Sequence, residues 1–296
     1  MMNTTTASPQ NPHAAWRLEQ ARAVAERLRH FPGLLSISVG GSVGRGTADA
    51  WSDIEMPLFW EAQPPDAVRQ QIATALGASS LNFSTRPAGE DNFIINGFQV
   101  DLWHIAISEA EAIFEEVLAR HNPDLKLSNF IDTLHICRPL TGAPVLSRLQ
   151  AMSRGYPDEL AVRAITVQLG QLRAKHLELY LIRQNPTLLY GTISALQQTL
   201  FLILLAVNGS HFPAFKWMYH RLAALPLKPA NIGQRLRHSY ECPPAEAISQ
   251  TRQLIAETLA LVNRRFPQID TAATREDLAF SRKAHEQPVS LFAHDA

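Results

Sequence analysis

The chain has 296 residues, a length that suggests about two domains at roughly 150 residues each. With 46% apolar and 18% charged residues it is neither disordered nor fibrous. Its 27 basic and 27 acidic side chains cancel, which removes the usual electrostatic basis for non-specific binding to nucleic acid or an anionic membrane. Two cysteines, Cys137 and Cys242, without CxxC spacing argue against a disulfide framework or a structural zinc site, and fit a reducing cytoplasm.

Residues 1–15 lack a basic stretch followed by an apolar one, so they read as a flexible tail rather than a secretory signal. From Trp16 to His30 apolar residues recur at helical spacing, and Phe31-Pro32-Gly33 stops the pattern. Leu34 to Val39 reads as a strand running into the Gly40-Gly41 turn, and Ile54 to Trp60 as a second strand. Asp66 to Leu76 is helical in pattern. Phe93 to Ile95 and Phe98 to Ile105 are extended runs joined by Asn96-Gly97, a hairpin signal. Beyond Ser108 helical patterns take over, over 109–120, 158–184, 188–208, 215–225 and 244–266, broken at proline-rich points. The longest oily stretch, Leu200 to Val207, is far short of the roughly 18 residues of a membrane span and reads as a buried helix segment. The expected fold is therefore α+β: a small mixed-sheet domain over 16–107, an all-helical domain over 108–268, and a polar C-terminal tail over 269–296.

The informative segment is Gly40-Gly41-Ser42-Val43-Gly44-Arg45-Gly46, followed by Ser52-Asp53-Ile54-Glu55. Glycines around a serine let the backbone turn sharply and aim N–H groups at one anionic oxygen, with the Ser42 hydroxyl as a further donor. Asp53 and Glu55 are two residues apart in an extended run, so their carboxylates project from one face. Two such charges repel and need a cation, for which Mg²⁺ beside a phosphate is suited. Asp101, in the apolar run Val100-Asp101-Leu102, is a third acid; beside the strand of Asp53 it would complete a cluster able to hold two metals about 4 Å apart.

With these residues the chain resembles the nucleotidyltransferase superfamily of DNA polymerase β type, whose pattern is a glycine-serine turn, a spacer, Asp-x-Asp/Glu and a separate acid. The layout is similar to the antibiotic-modifying branch, of aminoglycoside and lincosamide type, with its helical second domain. The resemblance implies that Gly41 and Ser42 contact the triphosphate, that Asp53 and Glu55 bind Mg²⁺, and that Asp101 is the third ligand or the base. It also implies that Arg45 meets the departing pyrophosphate and that Lys216 is a phosphate contact from the second domain. Read bare, Arg45 is a surface loop residue and Lys216 a helix-face lysine.

The expected reaction is transfer of a nucleoside monophosphate, AMP from ATP, to a hydroxyl of a small-molecule acceptor bound by the helical domain, an antibiotic among the candidates. Residues 106–296 carry 20 basic and 17 acidic side chains, a balance that weakly disfavours a polycationic acceptor unless acids such as Asp124, Asp132, Asp158 and Glu159 line the cleft. AMP transfer to a protein hydroxyl and a non-catalytic nucleotide-binding module are the rival readings. No basic, aromatic-interleaved track for nucleic acid is visible.

Overall fold

A computed structural model describes residues 11–83 and 89–282, without the side chains of 80–83. The tails expected at both ends lie partly outside the described residues. The chain divides into two compact units, residues 1–157 with 211–213, and residues 158–210 with 214–296.

The first unit opens with α1 (Pro12–Leu28), where Asn11 caps the amides of His13 and Ala14 and proline occupies the first turn. There follow β1 (Leu34–Val39), the one-turn helix α2 (Gly41–Arg45), β2 (Ile54–Trp60), α3 (Asp66–Leu76), β3 (Ser79–Phe83), β4 (Gly89–Ile95) and β5 (Phe98–Ala106). After them come α4 (Ile107–Phe114), α5 (Leu125–Ile136), β6 (Arg138–Thr141) and α6 (Ala143–Met152). The six strands form one mixed sheet in the order β3-β4-β5-β2-β1-β6, with β2 and β5 parallel and the other pairs antiparallel. Asn96 and Gly97 both hold positive φ, as the two-residue hairpin turn between β4 and β5 requires. β6 was not anticipated, because Arg-Pro-Leu-Thr shows no alternation; its proline is tolerated because the strand lies at the sheet edge.

The two faces of this sheet are used differently. One carries Ile54, Met56, Leu58, Trp60, Val100, Leu102 and Phe93, packed with Ala21, Val24 and Leu28 of α1 and Ile72 and Leu76 of α3. Each large side chain buried there contributes about 1.5–3 kcal/mol. On the other face Pro57, Phe59, Trp103 and Ile105 meet Phe130, Thr133, Leu134 and Cys137 along and just after α5. The starts of β2 and β5 present Glu55 and Asp101 on that second face.

The second unit comprises α7 (Asp158–Leu169), α8 (Leu177–Ile182), α9 (Pro186–Val207), a 3₁₀ turn over Phe215–Trp217, α10 (Met218–Ala224), α11 (Ile232–His238), α12 (Pro244–Arg265) and α13 (Ala272–Ala279). The helix expected over 158–184 breaks after Leu169, and the Ala174 and Lys175 amides of the intervening turn donate to Asp277 at 2.7 and 3.2 Å. Residues expected in a loose polar tail thus form α13, whose Asp277 is buried. α9 runs for 22 residues, and with a mean hydropathy of 1.6 it is long and apolar enough by composition to cross a membrane, more than the eight-residue run suggested. Its consecutive residues from Ile203 to Val207 are all buried in this structure, the pattern of a core helix enclosed on every side.

Candidate active site

The register of the sheet builds the site. Gly40 N–H donates to the Glu55 carbonyl at 2.9 Å, which aligns the glycine turn with the start of β2. Glu55 is the direct partner of Asp101 across the parallel pair, and Asp101 is the direct partner of Asn92 across the hairpin. Side chains of directly opposed residues share a face. Glu55, Asp101 and Asn92 therefore form one row across β2, β5 and β4, with Gly40 bonded beside Glu55 just beyond β1, and Asp53 stands half-buried just before β2.

The glycine turn and the Glu55 carboxylate are in contact. Gly41 has φ of 53°, and a Cβ placed on it would fall 1.7 Å from Glu55 Oε2, so the carboxylate occupies the space that only glycine leaves open. Gly44 is equally constrained: a Cβ there would meet the Ile136 carbonyl at 2.7 Å, because α2 packs on the end of α5. The N–H groups of the first turn of α2, including Ser42, have no partner within the helix and point away from its start.

Two amides hold Asp101, which is only 6% exposed. Asn92 Nδ2 donates at 2.8 Å, and Gln99 Nε2 reaches both carboxylate oxygens at 3.1 and 3.2 Å. Sequence reasoning missed both residues. The hairpin could have found Asn92, since a two-residue turn at 96–97 places residue 92 opposite residue 101; Gln99, two residues before Asp101, shares its face by strand alternation.

Among the described residues, the ligand oxygens of Asp53, Glu55 and Asp101 do not all lie within 4.8 Å of one another. The row nonetheless suits a hard divalent cation, with carboxylates at adjacent register positions, a third acid two residues from Glu55, and amide donors orienting Asp101.

The loop that leads to Asp53 is tied down by α1. Arg17, 3% exposed, donates to the carbonyls of Ser52 at 2.7 Å and Ala50 at 3.1 Å, and Asn11 Nδ2 donates to the Ala48 carbonyl at 2.7 Å. Periodicity alone read α1 as an amphipathic helix and gave no reason to single out its polar face. Trp51 is 91% exposed at the tip of this loop.

Arg45, which the resemblance assigned to the departing pyrophosphate, stands at the end of α2. Its guanidinium ion-pairs with Asp132 of α5 at 2.5 Å, with side chains 10% and 6% exposed, and so fastens α2 to α5. Acids expected as candidates for lining an acceptor cleft have structural partners too: Asp124 caps α5, and Asp158 pairs with Arg265 at 2.8 Å. Lys216 lies in the 3₁₀ turn of the second unit.

Beneath Gly40 the Cys137 thiol is buried, and burial pushes it up to about 12, so it remains protonated and serves as packing. His104, on the opposite face of β5 from Asp101, sits with Nε2 3.0 Å from Asp91 Oδ2, and Asp91 also accepts from Arg69 Nε at 3.0 Å. All three side chains are buried, and they tie α3 to the hairpin that carries Asn92 and Asp101.

The site thus sets a glycine turn against an acidic strand, with a further acid on the neighbouring parallel strand of a helix-flanked mixed sheet. The chain is similar to a solved nucleotidyltransferase-like protein from Exiguobacterium sibiricum 255-15, at 14% identity and a TM-score of 0.37, over 84% of this chain and 78% of that one. No family model and no curated protein matches it.

Proposed function

We propose that the chain transfers a nucleoside monophosphate, AMP from ATP, to a hydroxyl of a small-molecule acceptor and releases pyrophosphate. The observation that carries this reading is the row Glu55–Asp101–Asn92, with the Glu55 carboxylate seated against Gly41. Asp53, Glu55 and Asp101 would hold Mg²⁺, which when bound neutralises phosphate charge and lowers the pKa of a coordinated hydroxyl. The first-turn amides and the Ser42 hydroxyl bind phosphate oxygens, replacing water with fixed donors. Asp101, oriented by Asn92 and Gln99, accepts the proton of the attacking hydroxyl as it approaches the α-phosphorus in line with the departing pyrophosphate. Arg45 acts at one remove, holding α2 through Asp132, and Lys216 is a candidate phosphate contact to be tested by Lys216→Ala.

The test is a screen of alcohols, antibiotics included, with ATP or GTP and Mg²⁺, read as the mass gain of one nucleoside monophosphate and as pyrophosphate release. Asp101→Asn is expected to cut transfer by about 10²–10⁴-fold. If no acceptor gains mass, and Asp53→Asn leaves Mg²⁺-dependent nucleotide binding unchanged, the reading fails.

A further inference from the structure

The second unit holds a group of side chains that nucleotidyl transfer does not use. α11 ends at His238, the chain turns through Ser239–Cys242, and α12 starts at Pro244 with Glu246 in its first turn. The four-residue spacing on either side of Cys242 brings an imidazole, a thiol and a carboxylate together, and their ligand atoms all lie within 4.8 Å of one another. His238 Nε2 is 3.1 Å from Glu246 Oε1. The backbone fixes this turn without help from the three side chains: the Glu241 and Cys242 amides donate to the His238 carbonyl at 2.9 and 3.0 Å.

We propose that His238, Cys242 and Glu246 bind one divalent transition-metal cation of the zinc class. Around such an ion, with sulfur at about 2.3 Å and nitrogen and oxygen at about 2.0–2.2 Å, tetrahedral ligands stand roughly 3.3–3.7 Å apart. A group already inside 4.8 Å reaches that spacing by side-chain rotation. Thiolate and imidazole favour zinc over Mg²⁺, which selects oxygen ligands, so this site is chemically distinct from the carboxylate row of the first unit. Cys242 is buried, whereas the side chains of His238 and Glu246 are 47% and 56% exposed, so the soft ligand anchors the ion from within and solvent reaches the other side. A groove of about 430 Å³, bordered by Gln234, Arg235, Arg237, His238, Glu241 and Gln250, opens the His238 side of the group to solvent. On binding, the thiol releases its proton to solvent as the metal–sulfur bond forms.

Cobalt(II) reports such a site directly. The reduced, metal-stripped full chain is titrated with Co²⁺ and then Zn²⁺. The expected result is one equivalent of Co²⁺, with a thiolate-to-cobalt charge-transfer band and the intense visible bands of four-coordinate cobalt, displaced by one equivalent of Zn²⁺. Cys242→Ser removes the charge-transfer band while Cys137→Ser keeps it, and these are the chain's two cysteines. His238→Ala and Glu246→Gln weaken binding at least about tenfold, the lower bound seen even for outer-shell partners. Zn²⁺ raises the Tm of the unmodified chain and not that of Cys242→Ser, which separates loss of binding from loss of folding. A wild-type chain without the band, a band that survives Cys242→Ser, or one lost in Cys137→Ser overturns the proposal.

Discussion

Replacing Asp91 with asparagine tests whether the buried Arg69–Asp91–His104 group holds the candidate site's hairpin in place. Arg69 and Asp91 side chains are 5% and 0% exposed, and Arg69 donates to both carboxylate oxygens. Removing the charge on one partner of such a pair leaves the other uncompensated and costs about 3–5 kcal/mol. The other carboxylate on Arg69, that of Asp66 at 3.2 Å, is 85% exposed and offsets little of this. At roughly 2–4 °C per kcal/mol for a unit of this size, Asp91→Asn is expected to lower the Tm by about 6–20 °C. The assay is thermal unfolding by circular dichroism at neutral pH. A fall of less than about 3 °C would refute the reasoning. The double variant Arg69→Met with Asp91→Leu is the control; an apolar pair of similar volume should recover most of the loss, because the cost lies in the unpaired charge.

The same group makes a pH prediction. Burial on its own raises the Asp91 carboxyl, but hydrogen bonds from His104 and Arg69, with their charges, outweigh it and hold the group below the usual carboxylate range. A carboxyl depressed on folding stabilises fully above its unfolded value, near 3.9, and that contribution is lost as pH falls through the folded value. The acid-side decline in Tm should therefore be shallower in Asp91→Asn, which has no carboxyl to protonate. An unchanged decline would mean that other carboxylates dominate acid unfolding.

Four further outcomes follow from the geometry. Gly41→Ala places a methyl group where Glu55 Oε2 lies and imposes a left-handed backbone on alanine, so it should cost about 1–2 kcal/mol in stability but reduce transfer far more than that loss explains. Arg17→Met frees the carbonyls of Ala50 and Ser52, and should raise hydrogen exchange in the 48–53 loop and slow transfer while α1 stays folded. His135 is lowered by burial more than nearby Asp132 raises it, so its contribution is full above about 6.5 and lost as pH falls through its folded value; in His135→Gln the drop in Tm below that pH should be smaller. Nucleotide binding should change the emission of exposed Trp51, and Trp51→Phe should abolish that change if the loop moves or touches the ligand.

What could be read from the sequence was whatever repeats along it. Period-3.6 and period-2 patterns located α1, β1, β2, α3, β5 and α12 closely, and Asn96-Gly97 located the hairpin, because each depends on neighbours in the chain. The expected α+β fold agrees with the structure for that reason. The failures are of another kind. β6 is an edge strand four residues long, recognisable only by its pairing with β1. Gly170 and the turn after it look like a lapse in an otherwise helical run, until Asp277 from more than a hundred residues away supplies the acceptor for its amides. Arg45 and Asp132 are 87 residues apart, and no local rule couples them.

Charge is where sequence reading is weakest, since a side chain's role depends on whether an opposite charge already holds it. The resemblance gave Arg45 a role toward pyrophosphate, and nothing in the sequence signals that α5 brings Asp132 to its guanidinium. Arg17, which helical periodicity gave no reason to single out, is the clamp on the loop before Asp53. Cys242, with no second cysteine at CxxC spacing, spoke against a structural zinc site; the imidazole and carboxylate beside it come from the end of one helix and the start of the next, so their convergence depends on a turn through Pro243 that helical periodicity cannot supply. The carboxylates of Glu55 and Asp101 were the favourable case. Strand pairing has a fixed period and puts directly opposed residues on the same side, so two acids in parallel strands could be expected to meet once the strands were known to be neighbours.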